Sequence, residues 1–213
     1  MINGVFILES LPARDKHQHE RPILEQLFNM LGVEHDSFLA HGNVSTLDAL
    51  RYFFEADYRF LHLSAHGDHL SGRYIELANG ARMDCEVIEK FLEEEEGYSL
   101  EGQFLTLSVC GHISFDFVDC LHELTEVTAV VHPCSIVEFE DAALFYFHFY
   151  YCLFKHPHLR TQNGRIRENI SYQRILPIYI DAFKRAQKAH QISGARGSFR
   201  LVFWVREEKT VIF

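Results

Sequence analysis

Membrane-spanning runs, phosphate-cradling glycine loops, low-complexity stretches and a positive net charge are all missing from this chain. The most apolar stretch, Ala142–Phe154, falls far short of the ~20 residues that a membrane span needs, so no membrane partner is expected. Neither a GxGxxG nor a Walker-type glycine motif follows the first apolar run, which argues against a nucleotide fold. The prolines and glycines are scattered and leave no linker. A formal charge of −10 argues against a general nucleic-acid binder. CxxC pairs are lacking too. Cys85, Cys110, Cys120, Cys134 and Cys152 are odd in number and widely spaced. Met1 leads straight into the short apolar run Gly4–Leu8, with no basic leader or cleavage pattern. Free thiols in a reducing cytoplasm are the expectation.

What is present is a large apolar fraction, 47% of 213 residues, enough for one core. A single domain over 1–213 follows. Charge is unevenly spread. Residues 151–200 hold ten Lys/Arg against Glu168 and Asp181, a net of +8, which leaves −18 for the remainder. A solvated helical face accounts for that segment, and so does a docking face for an acidic partner.

Hydrophobic periodicity sets the elements. Val5–Leu8, Val33–Leu39, Arg59–Ala65, Tyr74–Leu77, Phe104–Val109, Val127–His132 and Phe199–Val205 read as strands. Ser10 to Arg21 reads as a loop. Helices are predicted from Pro22 to Gly32, after a cap at Ser45 or Thr46, over Met83–Glu96 with Glu93–Glu96 as its solvated end, and over Phe115–Leu124. A further one covers Phe139–Phe154, and Ile178, Ala182, Phe183, Ala186 and His190 mark a basic amphipathic one. Strands alternating with helices predict an α/β fold with a mostly parallel sheet and helices on both faces. In such sheets the chemistry lies beyond the C-terminal strand ends.

Two predicted strands end there in a reactive side chain followed by glycine: Leu-Ser-Ala-His66-Gly67 and Leu-Ser-Val-Cys110-Gly111. Parallel neighbours lie roughly 4.8 Å apart, so adjacent strands would bring both side chains within reach. Gly67 and Cys110 are 43 positions apart, room for the crossover that parallel pairing requires. A thiolate beside histidine is a strong nucleophile. The N–H groups of Gly67 and Cys110 are candidate oxyanion donors. A buried cysteine among fourteen histidines is also compatible with an inert core thiol.

His62-Leu-Ser-Ala-His66-Gly67 resembles the HxxxHG element of the CHAT family, caspase-like peptidases related to separase, and Ser108-Val109-Cys110 resembles its strand-terminal S-x-C. Gly72–Asn79 with Gly80 is similar to the short strand and turn after that histidine. Val130–Phe154 is similar to the next strand, acidic turn and aromatic helix. The likeness covers about residues 56–205. It implies a caspase-like three-layer sandwich and a cysteine endopeptidase acting on a protein substrate, with Cys110 as nucleophile and His66 as general acid. Gly67 N–H would hold the oxyanion, His62 would orient His66, and no cofactor or metal would be needed. It also implies cleavage after a basic residue held by Glu138, Glu140 or Asp141, of which Asp141 matches best; Asp141 would equally serve as a helix N-cap. The chain departs from the family in Val109, in Gly111-His112, and in lacking the tryptophan before the acidic turn. The sequence shows none of the repeat domains that family members often carry for regulation, so a regulatory protein partner is expected.

Two other functions compete. One is a catalytically silent caspase-like module docking a partner through the basic 151–200 segment. The other is zinc on His62, His66, Cys110 and His112, but His62 and His66 would stand about 13 Å apart along a strand, too far for one ion.

Overall fold

Apolar runs become strands and amphipathic runs become helices close to where periodicity puts them. The computed structural model describes residues 2–68, 70–94, 98–205 and 208–213, with backbone only at Ile2, Lys16 and His17. In chain order the elements are β1 (Ile2–Ser10), α1 (Arg21–Leu31), β2 (His35–Leu39), α2 (Asn43–Glu55), β3 (Tyr58–Gly67), β4 (Ile75–Glu76) and β5 (Arg82–Met83). Then come α3 (Cys85–Glu94), β6 (Phe104–Cys110), α4 (Phe115–Thr125), β7 (Ala129–Pro133), α5 (Phe139–Lys155), α6 (Tyr172–Ser193), β8 (Phe199–Val205) and β9 (Glu208–Ile212). Short 3-10 turns occupy Ala13–Gln18 and Pro157–Leu159.

The sheet runs β2-β1-β3-β6-β7-β8-β9, with β4 on the end of β3 and β5 on β4. The stretch from β2 to β7 is parallel, and β8 and β9 are antiparallel, so the fold is α/β with a mostly parallel mixed sheet. Successive side chains on a strand point to opposite faces, and the sheet accordingly separates two cores. Phe60 and Phe104 pack with α1, α5 and α6 on one face. Leu61, Leu63, Leu105 and Leu107 pack with α2, α3 and α4 on the other. The aromatic helix α5 buries Phe145, Tyr146, Phe149, Tyr150 and Phe154, each worth roughly 1.5–3 kcal/mol relative to exposure.

Several boundaries move. α1 ends as expected, with Gly32 in the left-handed conformation at φ 62°. α2 starts at Asn43, so Ser45 lies inside the first turn and its Oγ reaches back to accept from the His41 and Gly42 N–H groups. Met83 joins β5 rather than the helix. Of the expected solvated end Glu93–Glu96, Glu95 and Glu96 lie outside the described residues. α6 begins ahead of Pro177, which sits inside the helix on its exposed side. The missing proline N–H forfeits one backbone hydrogen bond, while Ile175, Leu176, Ile178 and Tyr179 bury the opposite side. β9 was not expected: its solvent-facing residues show no core alternation.

The expectation of free thiols is corrected for one pair. Cys85 at the start of α3 and Cys120 in α4 form a disulfide, and Cys110, Cys134 and Cys152 remain free. The two cysteines are 35 positions apart, and only the packing of both helices on one sheet face brings them together. Among the described residues, no helix is long and apolar enough to cross a membrane.

Candidate active site

β3 and β6 are neighbours, and their register pairs His66 directly with Cys110. Because the strands are parallel, paired residues face the same side of the sheet. His62 opposite Thr106, Ser64 opposite Ser108, and His66 opposite Cys110 therefore form a polar ladder on the α1–α5–α6 face. Its upper end opens at the C-terminal edge of the sheet. His66 and Cys110 are half-buried, whereas His62, Ser64 and Ser108 are buried.

Glycine follows both reactive residues for steric reasons. A Cβ on Gly67 would lie 2.7 Å from the Cys110 carbonyl oxygen, so any side chain there would push β6 off β3. Gly111 turns the chain away from the strand at φ 135°, a conformation open to few residues other than glycine.

The loop between β1 and α1 completes the site. Asp15, at a kink in the 3-10 turn with φ −97° and ψ 24°, places Oδ2 3.0 Å from His66 Nε2. Glu20 is fully buried at the N-terminal boundary of α1, but its side chain makes no capping bond. Its carboxylate goes to the sheet instead, accepting from Ser108 Oγ at 2.8 Å and pairing with His62 Nε2 at 2.9 Å. The other nitrogen of His62 meets the Tyr150 hydroxyl at 3.2 Å. Buried Glu9 on β1 fastens the rest of the loop, binding His19 and accepting from Arg21 N–H at 3.0 Å. The loop that carries Asp15 is thus tied at its α1 end by buried carboxylates, each satisfied as burial demands.

Electrostatics at the sulfur follow from this setting. Burial, reinforced by the negative charges of Glu20, Asp15 and Glu138, pushes the Cys110 thiol up to about 11. A thiol in such a field stays protonated at neutral pH until a base takes its proton.

No protein-family model matches this chain, and no curated protein matches it.

The residues expected at the site divide. His66, Cys110 and Gly67 come together at one sheet edge. His62 lies two ladder steps further in and is held by Glu20 and Tyr150. The acceptor at His66 Nε2 is Asp15 instead. Asp141 is committed elsewhere: its Oδ2 accepts from Arg196 N–H at 2.8 Å. It is not the N-cap of α5 either, a position held by Glu138. Glu140 is exposed in the first turn of α5. Of these three acids, Glu138 is the one whose charge acts on Cys110. A narrow cavity beside Cys110 is lined by Leu11, Ser64, Ser108, Val137, Phe139 and Ala142. Among the described residues, no three His, Cys, Asp or Glu side chains gather as a metal site.

Asp15 and Glu20 were missed by sequence reasoning. The loop that holds them has no period. The only local signal is a carboxylate directly ahead of Arg21-Pro22, which reads as a helix start.

Proposed function

We propose that this chain is a cysteine endopeptidase of caspase-like, three-layer architecture, similar to the CHAT family. The observation that carries the reading is the direct pairing of His66 with Cys110 across adjacent parallel strands, with Asp15 on the imidazole. Asp15 accepts from Nε2–H, which leaves Nδ1 as the base. Nδ1 takes the Cys110 proton as sulfur attacks the scissile carbonyl. The Gly67 N–H stabilises the resulting oxyanion. Collapse breaks the C–N bond, and the leaving amine takes the proton from His66. Water, deprotonated by His66, then hydrolyses the thioester and restores the thiol.

Three carboxylates acting on Cys110 favour a substrate with a cationic side chain beside the cleaved bond. Glu138 replaces Asp141 as the acid we assign to that contact. The raised thiol also supports control by a protein partner, because a change around Cys110 that favoured its thiolate would make it a better nucleophile. The proposal retains the cytoplasm as compartment; there, the Cys85–Cys120 bond would be opened by the reducing pool.

The test is covalent. A chloromethyl-ketone peptide ending in Arg or Lys is expected to label Cys110, as read by peptide mass mapping, and Cys110→Ala to abolish cleavage while retaining the fold. Cleavage by that variant at the wild-type rate would end the peptidase reading. Labelling only by peptides ending in acidic or large apolar residues would remove the basic preference alone.

A further inference from the structure

The connection from α5 to α6 builds a second cleft, away from the dyad. It encloses about 620 Å³ and is lined by His156, His158, Arg167, Gln173, Arg174 and apolar Ile170, among others. An adjoining hollow shares His156 and His158 and adds Lys155 and Arg185. Together they form one cationic furrow across the Pro157–Leu159 turn. The furrow has little counter-charge of its own. Arg185 pairs with Asp181 at 2.8 Å, but among the described residues Lys155, Arg167 and Arg174 have no carboxylate at ion-pair distance. The Arg167 guanidinium is steadied at the rim, its Nε donating to the Arg160 carbonyl at 2.7 Å.

Helix dipoles explain only part of the clustering. Lys155 lies in the last turn of α5, where a cation is favoured. Arg174 lies in the first turn of α6, where a cation is disfavoured and no acidic residue is present. Burial, with His158 and Arg185 and against Asp181, pulls His156 down.

We infer that this cleft docks a carboxylate-rich segment of a partner protein. Its volume suits a few side chains of an extended peptide, and its charge is opposite to theirs. A nucleic acid fits less well: outside residues 151–200 the chain carries −18, which repels a long polyanion but barely affects a short local contact. The inference involves neither Cys110 nor His66 and stands apart from the peptidase proposal.

The experiment is fluorescence anisotropy on the full chain with a fluorescein-labelled oligoglutamate peptide at low ionic strength. Saturable binding is expected. Arg167→Glu with Arg174→Glu should weaken it roughly tenfold or more, and the milder Arg167→Ala with Arg174→Ala should weaken it less. Lys184→Glu with Lys188→Glu, on exposed parts of α6 outside the cleft, should leave affinity within about twofold, as should Cys110→Ala. Thermal melts confirm that the variants are folded. Three results would overturn the inference: no saturable binding by the wild-type chain, equal loss in both charge-reversed pairs, or tighter binding of an oligonucleotide of equal charge.

Discussion

At the residue scale, the proposed catalysis depends on how His66 is held. Asp15 Oδ2 lies 3.0 Å from Nε2, which in the proposed mechanism selects the tautomer whose Nδ1 accepts the thiol proton. Asp15→Asn keeps the shape of the side chain but weakens that selection and removes the charge that steadies an imidazolium. A fall in kcat on the order of 10²-fold or more is expected, with KM little changed and the pH–rate profile displaced. Asp15→Glu should recover part of the rate. A merely structural role for Asp15 would leave the pH profile in place. His66 and Cys110 were legible because each ends an apolar strand and is followed by glycine. Asp15 and Glu20 were not, because their partners lie 51 and 88 positions away. Such contacts leave no periodic trace in a loop.

At the element scale, strong periodicity reported which elements exist, and local competition decided where they end. The β1–α1 loop is shaped by buried Glu9 and Glu20 rather than by its own propensity. Met83 has the apolarity of a helix face yet pairs with Ile75 in a two-residue strand. β9 exists because β8 offers it an edge. The Cys85–Cys120 bond joins α3 to α4, and it should be visible chemically. Thiol titration of the oxidised chain, unfolded without reductant, is expected to count three thiols, from Cys110, Cys134 and Cys152. Five would show that the bond does not form. Where it does form, closing a loop across 35 positions predicts that reduction costs roughly 3–4 kcal/mol of stability, measurable by urea unfolding with and without reductant.

At the scale of the whole molecule, two cores share one sheet, and a titratable group is locked into it. His132 on β7 is fully buried. Burial, with the positive charges of Arg200 and Lys209 and against a ring N–H hydrogen bond to the Pro133 carbonyl, lowers it from 6.5 to about 4. The folded chain therefore keeps this imidazole neutral while the unfolded chain protonates it. Its contribution is fully present above pH 6.5 and is lost as pH falls toward 4. The loss is on the order of 3 kcal/mol. His132→Phe should flatten that part of the stability curve in urea titrations across this range; an unchanged slope would mean that His132 does not drive it.

The order of strands and helices, the mostly parallel sheet and the two X-Gly strand ends followed from local rules, because hydrophobic period and glycine geometry act over a few residues. The adjacency of β3 and β6, the register that sets His66 against Cys110, and the arrival of Asp15 and Glu20 from a distant loop did not. They arise when helices on both faces bury their apolar sides and the loop's carboxylates find buried donors. The same packing turns Asp141 toward Arg196 and leaves Glu138 as the acid felt at the sulfur, a choice among neighbouring acids that no spacing along the chain encodes.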